Sequence, residues 1–294
     1  MSSELAQINP HPRDARIQFI KLPNEPRGYY YVDGKKWTES GVTRLLKIFF
    51  PDRFNKKAVY GDDIERMERD QAENYKRTYM GTFMSVCHDD YINKRPFKPD
   101  PMFPQYKCLD DIPAWRCLVQ QMDTLPKSWV PYRSEWPLFS SKLQMTGVPD
   151  YVMRDMAYPN QLRLIIIDFK CQVKPFDTPF CNGFLKDRTR RSACKTSQLA
   201  LPESHVDDCP AVGSRAMRNQ IAYKYVKCGA QMAIYRMLLL SRYKFPQKLV
   251  IDRMVAVFIE PNYPGTKHFY QQDIDQFEEM LDQLVEERLK EKRV

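Results

Sequence analysis

The order of elements predicts an α/β (α+β) fold with a mixed central sheet flanked by helices and preceded by a helical N-terminal region. Three observations carry that reading. Leu162 to Phe169 is a near-continuous apolar run of the kind a strand buried on both faces shows. Ile221 to Leu240 follows with Ala222, Val226, Ala230, Ile234 and Leu238 along one helical stripe, and Met254 to Ile259 is a further strand ending before Pro261. Helices come first, then β-β-β-α-β, then a last helix, which is an order that layered α/β and α+β domains use.

Taken from the start, Tyr29 to Val32 is aromatic and β-branched, and Asp33-Gly34 is a hairpin turn dipeptide. Ser40 is placed to cap a helix from Val42 to Phe50, ended by Pro51 and Asp52. Residues 62 to 93 read as largely helical, with apolar positions at Met67, Tyr75, Tyr79, Phe83 and Val86, and the Pro-rich residues 94 to 110 read as a connector. Arg133 to Phe139 and Lys142 to Met153 read as two strands separated by a Ser140-Ser141 turn. Residues 171 to 216 hold scattered Pro, Gly, Ser and Cys without periodicity, long for a structureless loop. Asp273 to Lys290 is an amphipathic helix with Phe277, Leu281, Leu284 and Leu289, best read as a packing helix. This divides the chain into an N-terminal hairpin and helical region over 1–110 and a core over 111–294, with 171–216 as a basic insertion.

Composition bounds the function. Of 294 residues 43% are hydrophobic, enough for a sizeable core, and the formal net charge is +9, which favours a polyanionic partner such as DNA. The first residues are polar and include Glu4 and Asp14, with no apolar segment of signal-peptide type. The apolar runs are too short to span a bilayer, so the sequence predicts a soluble intracellular protein of nucleus or cytoplasm. The eight Cys form no CxxC pair, so they read as reduced, mostly buried thiols rather than a zinc or iron–sulfur site.

The chemistry concentrates in two short segments. Gly147-Val148-Pro149-Asp150 leads into one strand, and Asp168-Phe169-Lys170 closes the next. Residues two apart on a strand share a face, so Asp168 and Lys170 project together. Asp-x-Lys also occurs at 33–35 and Pro-Asp at 51–52 and 99–100, but only 149–150 with 168–170 combines short spacing with strand context. Carboxylate oxygens suit Mg²⁺, and a nearby Lys suits the charge developing at a phosphoryl centre. A plain turn role for Asp150, a solvated strand position for Glu135, and a helix-surface pair for Gln231 and Tyr235 are the bland alternatives.

These segments resemble the PD-(D/E)XK nucleases, in particular the RecB and lambda-exonuclease branch and relatives in large DNA viruses. RSEWPLFSSKLQMTGVPDYVM resembles the family's Glu strand and G-x-x-D hairpin, and LRLIIIDFK its D/E-x-K strand. GAQMAIYRMLL resembles its Q-x-x-x-Y helix, and VDGKKWTESGVTRLLKIFFPDRF the N-terminal region of the viral relatives. The resemblance implies a restriction-endonuclease-like core and Mg²⁺-dependent hydrolysis of DNA, with Mn²⁺ able to substitute, in recombination, repair or genome processing. It implies Asp150, Asp168 and the Phe169 carbonyl as metal ligands, Lys170 as the catalytic lysine and Glu135 as an auxiliary acid. Gln231 and Tyr235 would touch nucleic acid or brace the site.

Two departures matter. The family's early helix often carries Gly-Thr-x-x-His, whereas Gly81-Thr82 is followed by Ser85, with Asp89 keeping the acidic position. In a helix Ser85, His88 and Asp89 share a face, which nominates His88 as a replacement metal ligand. No Cys follows 228, so the iron–sulfur cluster of some relatives is not expected. Lys174, Arg188, Arg190 and Arg191 directly after the catalytic strand are candidates for phosphate contacts, against a plain solvated loop. An RNA endonuclease on the same fold, and a nuclease-like nucleic-acid-binding protein without catalysis, are the alternative functions.

Overall fold

The structure is a computed structural model that describes residues 4–20, 29–37, 40–49, 62–171, 224–262, 264–275 and 277–290. It is a mixed α/β architecture around a five-stranded sheet. The strands of that sheet are β4 (Trp129–Ser134), β7 (Tyr151–Asp155), β8 (Leu162–Lys170), β9 (Leu249–Phe258) and β10 (Gly265–Tyr270). Their order is β10-β9-β8-β7-β4; β8 and β9 run parallel and every other neighbouring pair antiparallel.

The apolar run of β8 divides by parity between two cores, as strand geometry requires. Leu164 and Ile166 join Met254, Ala256 and Phe258 against α5 (Lys224–Arg242). Ile165 and Ile167 join Val255 and Val257 on the other face. That face is covered by α3 (Ile64–Ile92) and α4 (Pro113–Asp123) through Phe83, Met84, Trp115 and Leu118. A strand buried on both sides shows no alternation in its sequence. Helix α3 starts on an Asp63 cap, whose carboxylate accepts from Arg66 N–H at 2.9 Å, and Pro113 sits in the first turn of α4.

The N-terminal residues form α1 (Glu4–Ile8) and a three-stranded antiparallel sheet, β1 (Ile17–Ile20), β2 (Tyr29–Val32) and β3 (Lys35–Trp37). The expected β2–β3 turn is present. Asp33 and Gly34 have φ of 51° and 74°, the double positive φ that a two-residue hairpin needs. Ser40 does not cap α2 (Val42–Leu45). Its hydroxyl pairs with the Thr146 hydroxyl at 2.9 Å, its carbonyl accepts from Thr146 N–H at 2.8 Å, and Gly41 takes the N-cap position. The α-helix is correspondingly short and tightens into a 3-10 turn over Leu46–Ile48.

The largest correction concerns residues 129 to 155. The two expected strands are four. β4 and β7 pair within the main sheet, while β5 (Leu138–Ser140) and β6 (Met145–Gly147) form a separate hairpin. One long hairpin is thus interrupted half way, at Glu135 on one arm and at Val148 to Asp150 on the other. Glu135 has a φ of 43°, a left-handed conformation in a non-glycine residue, which redirects the chain out of the main sheet. Four further elements lie beyond the sequence expectation: α1, β1, β10 and α4. β9 begins five residues before Met254, where Asp252 meets Arg163 of β8 at 2.7 Å and supports polar positions in a strand. The C-terminal helix divides into α6 (Gln271–Asp275) and α7 (Glu278–Lys290). From α7, Arg288 donates to the Leu143 and Gln144 carbonyls at 3.0 and 2.9 Å, which holds the tip of the β5–β6 hairpin. Among the described residues no helix is long and apolar enough to cross a membrane.

Gly229 marks the tightest contact of α5 with the C-terminal elements. A Cβ there would lie 2.9 Å from the rings of both Phe269 and Phe277. Replacing glycine by alanine inside a helix ordinarily gains about 1 kcal/mol, whereas overpacking a fixed core costs roughly 1–3 kcal/mol. Both rings are buried on β10 and at the start of α7, so the overpacking term dominates. Gly229→Ala is therefore expected to lower the urea unfolding free energy by up to about 2 kcal/mol. A gain in stability would show that the rings yield without cost.

Candidate metal and acid–base site

Asp168 is 1% exposed, and its position follows from strand parity: like Leu164 and Ile166 it faces α5. A carboxylate in that layer needs partners, and three meet it. Lys170 Nζ forms an ion pair with Oδ2, the Cys228 thiol donates to Oδ2 at 3.3 Å, and Gln231 Nε2 donates to Oδ1 at 3.4 Å. Lys170 Nζ also donates to Gln231 Oε1 at 3.3 Å. Gln231 Nε2 further donates to the Tyr235 hydroxyl at 2.6 Å. Residues 228, 231 and 235 are three and four apart, so α5 presents them as one stripe towards the end of β8. Cys228 is the member of this stripe that the sequence reading left out. Its spacing from Gln231 was the available signal.

The ring of Tyr235 lies against the backbone of Gly147. A Cβ at 147 would fall 2.5 Å from Tyr235 Cε1 and 2.9 Å from Val42 Cγ2, so only glycine admits the tyrosine there. The glycine before Val148-Pro149-Asp150 thus serves packing of the stripe that holds Lys170.

Asp150 arrives from the other side. Its Oδ2 accepts from the Phe169 backbone N–H at 2.7 Å, tying the entrance of β7 to the end of β8. The Glu135 backbone N–H donates to the Asp150 carbonyl at 3.0 Å, so the two acidic residues face each other across the break in the hairpin. Glu135 Oε1 accepts from the Ser85 hydroxyl of α3. Ser85, which stands at the family's His position, therefore does face the site.

Among the described residues three carboxyl groups share this place with one cation. Burial pushes Glu135 up to about 7; the Ser85 hydrogen bond pulls it down, and the charges of Asp89 and Asp168 push it up again. Asp150 is held well above the ordinary carboxylate range by burial and by Asp168 and Glu135, against the pull of Lys170 and the Phe169 N–H. Burial lowers the Lys170 ammonium, but Asp168, Cys228 and Asp150 outweigh it and hold the proton firmly. Burial and the Asp168 charge push the Cys228 thiol far up, so it stays protonated. Three carboxyl groups thus crowd one ammonium, and a further cation would favour their ionised forms.

His88 is not part of this group, and its nomination as a metal ligand is corrected. It is 3% exposed and packs edge-on against the rings of Tyr151 and Phe169, with centroids at 4.6 and 4.7 Å. Those rings belong to the sheet face opposite the one that carries Asp168 and Lys170. Burial lowers its pKa to about 3, so it is a neutral core ring. Helical neighbourhood with Ser85 was the correct premise, but the helix turns His88 into the core. Asp89 is likewise occupied, accepting from Ser134 Oγ at 2.6 Å and Asn93 Nδ2 at 3.0 Å and pairing with Arg95. Lys174, Arg188, Arg190 and Arg191 lie outside the described residues.

Among the described residues no three His, Cys, Asp or Glu side chains already stand as a joint metal-binding group. Asp150 and Asp168 are two hard-oxygen donors, a set that fits Mg²⁺, which keeps several waters and takes few protein carboxylates. The donor set fits a soft metal less well, because the Cys228 thiol holds its proton.

Glu135 generates a pH prediction. Unfolded, it gives up its proton near its ordinary 4.5; folded, near 7. Between those values the folded chain binds more protons, so this contribution is complete below about 4.5 and lost as pH rises through about 7. In EDTA, Glu135→Gln is expected to melt higher than the parent at pH 8, with the difference vanishing at pH 4.5. Parallel melting curves for parent and variant across that range would refute the assignment.

No protein-family model matches this chain, and no curated protein sequence is significantly similar to it.

Proposed function

We propose that this chain is a divalent-metal-dependent deoxyribonuclease with a restriction-endonuclease-like core of the PD-(D/E)XK type. One observation carries the reading. Among the described residues Glu135, Asp150 and Asp168 converge with a single ammonium, Lys170, at the point where the hairpin is broken and the chain turns out of the sheet.

Asp150 and Asp168, with the Phe169 carbonyl, would hold Mg²⁺ or Mn²⁺. When bound, such an ion polarises a phosphoryl oxygen and lowers the pKa of a coordinated water. The rest is done by the chain. Lys170 keeps its proton and is braced by Gln231, so it offers a fixed positive charge to the phosphate oxygens. Glu135, with a pKa near 7, is able to take a proton at its carboxylate from an attacking water, while Ser85 fixes its other oxygen. Gln231 keeps Lys170 and Asp168 in register through the Tyr235 hydroxyl.

A second reading has an observation of its own. The Lys170–Asp168 ion pair engages one of the two proposed ligands, as it would in a protein that binds nucleic acid without cutting it. The same assay separates the two. End-labelled single-stranded, duplex and circular DNA, with an RNA control, are incubated with Mg²⁺ or Mn²⁺. Cleavage of DNA that stops in EDTA is expected. Asp168→Asn and Lys170→Ala should each lower the rate by roughly 100-fold or more, about 2.7 kcal/mol in barrier. Activity that survives EDTA, or a loss under about tenfold, removes the two-carboxylate mechanism.

The basic insertion supplies a further test. Neutralising Arg188, Arg190 and Arg191 together is expected to flatten the dependence of DNA affinity on salt by roughly one unit per lost phosphate contact. An unchanged slope would make these residues bystanders.

A further inference from the structure

The N-terminal sheet carries a row of aromatic side chains that core packing does not use up. The register of β1 and β2 sets Phe19 opposite Tyr30, and that of β2 and β3 sets Tyr30 opposite Trp37, so the three lie in one cross-strand row. At the inner end the Trp37 ring meets Phe139 edge-on at 6.3 Å, and Tyr30 packs with Ile17, Val32 and Phe139. At the outer end the Phe19 ring lies 5.0 Å from Tyr30 and is 53% exposed. Single exposed apolar residues are ordinary on protein surfaces. What sets Phe19 apart is its neighbourhood.

The row leads to the carboxylate site. Phe139 is flanked in β5 by Leu138, which pairs with Gly147, the residue on which Tyr235 rests. The Tyr30 phenol lies within Coulombic reach of Glu135 and of Tyr235. On the same small sheet Lys35 is exposed and pairs with Val32, so by strand parity it stands on the face that carries Phe19 and Tyr30. An aromatic face beside an ammonium group offers both things a single strand needs, a surface for a base and charge for the backbone.

We propose that Phe19 and Tyr30 form a stacking platform for an unpaired base of the DNA strand whose phosphate enters the Glu135–Asp150–Asp168 site; the inference rests on the nuclease reading for the nature of that strand. In a duplex each base face is covered by its neighbours, so the platform serves single strands or unpaired ends. It makes the enzyme one that prefers single-stranded DNA without reading its sequence, because every base has a face to stack.

The test separates binding from cleavage. A short single-stranded DNA oligonucleotide carrying 2-aminopurine, and a duplex of the same length, are titrated in EDTA with parent protein, Phe19→Ala and Phe19→Trp. Phe19→Ala is expected to weaken single-strand binding by roughly tenfold or more, the loss of one base–aromatic stack, and to reduce 2-aminopurine quenching. Phe19→Trp should retain both, duplex affinity should be unchanged, and melting temperatures should match the parent's because the Phe19 ring is half in solvent. Equal single-strand affinity for Phe19→Ala and parent overturns the platform, as does an equal loss on duplex. Phe19-dependent binding without any Mg²⁺-dependent cleavage by the parent sinks the nuclease reading and leaves the platform standing. Cleavage with Phe19-independent binding sinks the platform alone.

Discussion

The buried charge of Asp168 is the constraint around which this site is organised. A carboxylate removed from water costs several kcal/mol after relaxation unless ions and hydrogen bonds replace its hydration. Lys170, Cys228 and Gln231 replace it here. Each of these partners needs support in turn. Lys170 is fixed by being two residues along the same strand, Cys228 and Gln231 by sharing a stripe of α5, and Gln231 by the Tyr235 hydroxyl. Tyr235 then requires Gly147, and Gly147 lies beside the turn that delivers Asp150. One unfavourable burial thereby dictates residue identity at five positions on three elements.

Such an arrangement is expensive as pure architecture. A hydrophobic pair of similar volume would often serve stability as well or better. The Asp168 carboxylate stands beside two further carboxyl groups, one of them on Glu135, whose backbone is left-handed, and this combination of strain with perturbed carboxyl groups is what the nuclease proposal rests on. A bound cation would draw the protons from Glu135 and Asp150, which burial first and the neighbouring acidic charges second push up.

Much of this was legible in the sequence because it depends on local rules. Alternation placed Asp168 with Lys170, the resemblance to a Q-x-x-x-Y helix singled out Gln231 and Tyr235, and Asp33-Gly34 announced its turn. What escaped was decided by tertiary contact. Residues 133 to 153 have continuous strand character, and only the positive φ at Glu135 reveals the break. Ser40 is a good cap by type, yet Thr146, more than a hundred residues away in sequence, takes its hydroxyl. His88 shares a helical neighbourhood with Ser85, but α3 lies along the sheet so that Ser85 reaches Glu135 while His88 meets Tyr151 and Phe169. β9 was read short because Asp252 and Arg253 look like a loop until Arg163 is seen beside them. The order β-β-β-α-β was right in outline for four strands of the mixed sheet, and the fifth, β10, was not read.

The grip of Arg288 on the carbonyls of Leu143 and Gln144 has a temporal consequence. During synthesis the chain emerges from its N-terminal end, and domains tend to fold as their residues become available. Asp150, Asp168 and Lys170 leave the ribosome well before α5 brings Gln231, and α5 well before α7 brings Arg288. A nascent chain therefore carries its acidic cluster for some time without the bracing residues, and the β5–β6 tip without its latch. On the nuclease reading proposed above, competence would be switched on late in translation, once both have emerged.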